Sequence, residues 1–60
     1  MDPDTALANT RAAAFRVDVT TDAEDREAAA MEVVEAFHAL DDWLSEGGYL
    51  PQKWRRAILT

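Results

Sequence analysis

The twenty-five residues from Asp22 to Glu46 contain neither Gly nor Pro, and Gly47-Gly48 follows them directly. No other feature restricts the fold as much. A run without helix breakers, closed by residues able to take the left-handed conformation, favours one continuous helix. At 1.5 Å per residue it would reach roughly 37 Å. Thr21-Asp22-Ala23-Glu24 matches the capping box, in which a Thr hydroxyl and a Glu carboxylate satisfy reciprocal backbone N–H groups, so the helix is predicted to begin at about Asp22. On a helical wheel Ala30, Val33, Phe37, Leu40 and Leu44 form the centre of an apolar face. Ala29, Ala36 and Trp43 flank it on one side and Val34 on the other.

An apolar arc that broad needs more than one covering element. Asp2-Pro3-Asp4 supplies an Asx N-cap, a Pro at the first helical position and an acid near the positive end of the helix dipole, predicting a first helix from Pro3. Ala8, Ala12, Phe15 and Val19 fall on one stripe of it, and the β-branched stretch from Val17 to Thr21 predicts its end at Arg16 to Val19. Leu50, Trp54 and Ile58 recur every four positions and predict a third, C-terminal helix. Pro51 would be its first residue and Leu50, a poor capper, its N-cap. The reading is a single all-α domain over residues 1–60: a short helix, a long helix and a short C-terminal helix. A core this small rarely supplies more than about 3–5 kcal/mol, and self-association is the usual remedy. The expected assembly is a homodimeric helical bundle.

Composition narrows the function. The chain has no Cys, which excludes a disulfide scaffold or thiolate zinc site and suits a reducing compartment. The longest apolar runs, Ala12 to Phe15 and Ala28 to Met31, have four residues each, against the roughly 20 that cross a bilayer. Met1-Asp2-Pro3-Asp4 is acidic where a secretory signal is basic. The expectation is a cytoplasmic protein with no membrane contact. Twelve acids against six bases give a net charge of −6, which disfavours nucleic acid as a partner and makes proteins the default.

The charge is polarised along the chain. All twelve acids and only Arg11, Arg16 and Arg26 lie in residues 1–46, a balance of −9, whereas residues 47–60 carry Lys53, Arg55 and Arg56 without an acid, a balance of +3. A cationic last turn suits a helix C-terminus. The same segment could also dock on the acidic long helix of a neighbouring copy or on an acidic partner, in a contact weakened by salt.

Chemistry-bearing patterns are few. Glu35-Ala36-Phe37-His38 has the Glu-x-x-His spacing of bundle metal sites, yet both groups lie opposite the apolar stripe instead of projecting inward. The carboxylate pairs Asp41 with Asp42 and Glu32 with Glu35 read as solvated charges. Gly47-Gly48 follows a helix where a phosphate loop precedes one, and Ser45 is the sole serine. No catalytic, metal-binding or cofactor-binding residue is assigned, and the chain reads as a non-enzyme. Trp43, Tyr49 and Trp54 lie within twelve residues around the double glycine. They would close the hairpin between the second and third helices or anchor a partner, with Arg55 and Arg56 as polar rim. The candidate interaction residues are therefore Phe37, Leu40, Trp43, Leu44, Tyr49, Trp54, Arg55 and Arg56.

The segment Leu40-Asp41-x-Trp43-Leu44-Ser45-x-Gly47-Gly48-x-Leu50-Pro51-x-x-Trp54 resembles a pattern in small uncharacterised proteins encoded by phages and genomes of actinobacteria. The likeness covers about a third of the chain. It implies a phage-type or mobile-element accessory protein with the aromatic turn as signature, and it transfers no catalytic residue. The leading expectation is a non-enzymatic accessory protein that self-associates and binds an unidentified protein, such as a host factor. Two alternatives are an acidic DNA mimic that inhibits a nucleic-acid enzyme, and a small DNA-contacting regulator using Lys53, Arg55 and Arg56 on the third helix.

Overall fold

The computed structural model describes residues 2–59 as three helices, α1 (Pro3–Val19), α2 (Ala23–Ser45) and α3 (Gln52–Leu59), with no strand among the described residues. The all-α class and the order short, long, short agree with the sequence reading. The Cα trace measures 38 × 24 × 13 Å. The extensive helix–helix contact is that between α1 and α2, an antiparallel pair joined by Thr20 to Asp22.

α1 begins as expected: Asp2 is its N-cap, Oδ1 accepting from the Asp4 N–H at 3.0 Å, and Pro3 is its first residue. Thr5 donates its hydroxyl to Asp2 Oδ2 at 2.7 Å and secures the cap. The start of α2 departs from the capping box. Asp22, one residue later than Thr21, is the N-cap and accepts from the Glu24 N–H at 3.2 Å, so the helix starts at Ala23. Thr20 Oγ1 instead accepts from the Asp22 N–H, folding the connection into a turn that sets the carboxylate of Asp22 in the capping place.

The rotational phase of α1 also differs from the predicted stripe. Ala6, Leu7 and Ala13 are buried and Val17 half-buried, whereas Ala8, Ala12, Phe15 and Val19 are exposed. Small side chains let two helix backbones approach closely. Ala6 and Ala13 of α1 are buried, each beside a hollow that Ala36 of α2 also lines, and Ala29 of α2 is fully buried. A Phe at that seam would hold the helices apart, and Phe15 points outward instead. The broad face of α2 is divided in the same way. Ala29 and Leu40 are buried with Val33, Ala36, Trp43 and Leu44 half-buried, while Ala30, Val34 and Phe37 stay in solvent.

α3 starts at Gln52, so Pro51 serves as N-cap and not as first helical residue; its carbonyl accepts from the N–H groups of Trp54 and Arg55, each at 3.0 Å. Neither Pro51 nor Leu50 has a capping side chain. Asp4 of α1 supplies one: its Oδ1 accepts from the Gln52 N–H at 2.6 Å. Pro3 and Pro51, each adjoining one partner of that bond, are fully buried. Of the third predicted stripe, Leu50 and Trp54 are half-buried and Ile58 is exposed.

Candidate interaction surface

The segment that carries the sequence likeness is a single folded unit. α2 ends at the double glycine through the paired bonds of a Schellman turn, from the Gly48 N–H to the Trp43 carbonyl at 2.8 Å and from the Gly47 N–H to the Leu44 carbonyl at 3.1 Å. Gly47 takes φ +93°, which side-chain-bearing residues rarely adopt. Gly48 is needed for a different reason. A Cβ there would lie 2.3 Å from the Trp43 indole, which rests against this backbone. The indole Nε1 then donates to the Tyr49 carbonyl at 2.9 Å, and the two rings meet edge to face with centroids 5.4 Å apart. The Arg55 guanidinium stands over the Tyr49 ring, 5.8 Å from its centroid. Trp43, Gly48, Tyr49 and Arg55 thus lock the connection from α2 to α3.

The eight residues singled out from the sequence separate by environment. Leu40 is buried in the α1–α2 seam, Trp43, Leu44 and Trp54 are half-buried, and Phe37, Tyr49, Arg55 and Arg56 are exposed. Phe37 continues into Ala30, Met31 and Val34, giving α2 an apolar flank open to water. Glu27 and Glu35 border a shallow concavity whose floor is Ala30, Met31 and Val34. Met31 has no place in the predicted face. Its link to Val34 and Phe37 at intervals of three was nonetheless present in the sequence and would have found it.

On α1, Leu7 and Ala8 form the floor of a second cleft, closed on the far side by α3 and lined also by Arg11, Lys53, Arg56, Asp4 and Gln52. None of these three cations forms an ion pair among the described residues. Arg11 is forty-two residues from Lys53 in sequence and joins Lys53 and Arg56 only in the folded chain, where Asp4 holds α3 beside α1.

The paired cation is Arg16. Its Nη2 donates to Asp25 Oδ1 at 2.9 Å and its Nη1 to Glu32, tying α1 to two successive positions of α2. The bond to Arg16, helped by the Thr20 hydroxyl, holds the Asp25 carboxyl below the usual aspartate range, and Asp25 and Glu32 hold the Arg16 guanidinium above its ordinary value. The Thr5 hydroxyl and the Asp4 N–H lower Asp2 in the same way.

Glu35 and His38 are both exposed, and among the described residues no group of three or more His, Asp or Glu side chains is placed to hold a metal ion. No helix among the described residues is long and apolar enough to cross a membrane. Comparison with protein-family models, with curated proteins and with solved structures returns no match.

Proposed function

We propose that this chain is a non-enzymatic, cytoplasmic interaction protein that self-associates as a homodimer through the bare flank of α2 and engages a further protein. The resemblance of its aromatic turn suggests the setting, a small phage-type accessory protein with a host factor as target. One observation carries the reading: the chain exposes 4491 Å² at 6.7 kDa, against about 3,900 Å² for a compact monomer of that mass. The excess, about 600 Å², lies at the lower end of the roughly 600–1,000 Å² that each partner buries in a specific interface. Met31, Val34 and Phe37, between 53% and 61% exposed, supply its apolar part.

Sedimentation over a range of concentrations tests the reading. The expected result is a particle of twice the chain mass, reverting to single mass in Phe37→Ser with helicity kept. A wild-type protein that sediments as a lone particle at the highest concentration overturns it.

A further inference from the structure

We infer that the cationic cleft between α1 and α3 is the seat for the acid-bordered flank of α2 from a second copy of this chain. The inference rests on the self-association proposed above and names its two faces. The cleft has an apolar floor, Leu7 and Ala8, beneath Arg11, Lys53 and Arg56; Asp4, bound to the Gln52 N–H, and Gln52 complete its lining and leave it a net charge of +2. The flank has an apolar centre, Ala30, Met31 and Val34, between Glu27 and Glu35. Apolar meets apolar, and Arg11, Lys53 and Arg56 meet Glu27 and Glu35.

Four observations bear on a second copy as the occupant. Among the described residues Arg11, Lys53 and Arg56 form no ion pair, in a chain with twice as many acids as bases. The dimensions agree: residues 4–11 of α1 and residues 27–35 of α2 each extend roughly 11 Å along a helix axis, and a helix ridge seats in the groove between two others. A phosphate backbone would satisfy the cations but offer nothing to Leu7 and Ala8, and it would approach a body of charge −9 over residues 1–46. The excess of exposed surface, about 600 Å², is the least that each partner of such a contact removes.

Charge exchange between two full-length variants tests the pairing. One carries Lys53→Glu and Arg56→Glu, the other Glu27→Lys and Glu35→Lys. All four residues are exposed and none is ion-paired among the described residues, so circular dichroism of each variant should match wild type. Each variant alone should self-associate at least about tenfold more weakly than wild type, because like charges then face each other. The two mixed should associate to within about threefold of wild type. Wild-type association should weaken on going to about 1 M salt, where the screening length falls to about 3 Å. If wild type dimerises and neither variant alters it, the pairing is wrong and self-association uses another face. A monomeric wild type removes the underlying reading as well. Duplex DNA bound by wild type and lost in the Lys53→Glu, Arg56→Glu variant, with self-association unchanged, assigns the cleft to nucleic acid and overturns the inference.

Discussion

Asp4 Oδ1 accepts a hydrogen bond from the Gln52 backbone N–H at 2.6 Å, joining the first turn of α1 to the first turn of α3 across forty-eight positions of sequence. α3 has eight residues and no capping side chain of its own, too short to persist alone in water. Its stability is borrowed from α1.

Asp4→Ala should therefore act far from its own place in sequence. The lost cap is worth on the order of 1 kcal/mol, and the loss should fall on α3, since Asp2 still caps α1. Amide hydrogen exchange should show residues 52–59 losing protection while the α1–α2 seam around Ala13, Ala29 and Leu40 keeps it. Asp4→Asn, which retains the acceptor oxygen, should restore most of it. Equal loss of protection along α1 would show that Asp4 serves α1 instead.

The two glycines should fail differently. Gly48→Ala drives a methyl group into the Trp43 indole, and the ring must leave its bond to the Tyr49 carbonyl, at about 1–3 kcal/mol. Tryptophan emission should shift to the red. At Gly47 a Cβ meets nothing within 4 Å, so Gly47→Ala should cost only the strain of φ +93°, about 1 kcal/mol, with emission unchanged in the folded state. Identical spectra for the two variants would refute the packing of the indole on Gly48.

Acid should weaken the fold through Asp25 and Asp2. Both carboxyls are lowered in the folded chain, Asp25 chiefly by Arg16 and Asp2 chiefly by the Thr5 hydroxyl. The unfolded chain then takes up protons first as pH falls. Their stabilisation is complete above the ordinary aspartate value of about 3.9 and is lost as pH drops through the lower folded values. Denaturant unfolding of wild type and Arg16→Gln should differ most near neutrality and converge below about pH 4 as Asp25 protonates. A difference that stays constant to acid would mean that Arg16 contributes by packing and not by charge.

Much of this architecture can be read from the residues, and the parts that cannot share a cause. Asp2-Pro3 and Gly47-Gly48 place helix ends because their chemistry is local: a side-chain acceptor for an orphan N–H, and a backbone free to turn. Which way a helix faces is a property of its neighbours. In α1 both stripes are built largely from Ala, so the alanines do not set the phase, and the helix buries Ala6, Leu7 and Ala13 while the larger Phe15 stays exposed. The candidate surface was legible to the same degree. Phe37, Tyr49, Arg55 and Arg56 lie at the surface, whereas Leu40, on the same wheel face as Phe37, lies in the seam. The meeting of Arg11 with Lys53 and Arg56 depends on the Asp4 cap, which no local pattern announces.

Leu40 and Phe37, one helical turn apart on α2, give the sharpest contrast between fold and surface. Leu40 is 5% exposed and Phe37 55% exposed. Leu40→Ala removes buried methyl groups from the α1–α2 seam and should destabilise the folded chain by about 2–5 kcal/mol. That is a large share of what a core this small supplies, so the variant should be mostly unfolded at moderate denaturant. Phe37→Ala takes away a larger side chain from a position already in water, and the stability of the isolated chain should change by no more than about 0.5 kcal/mol. Its effect should appear in the concentration dependence. If Phe37 lies in the interface, unfolding midpoints of wild type rise with protein concentration, as mass action requires of any self-associating chain, and those of Phe37→Ala stay flat. Denaturant titrations of wild type and both variants, each at two concentrations a hundredfold apart or about that, separate the roles. A Phe37→Ala midpoint that climbs with concentration as steeply as wild type would place the contact elsewhere.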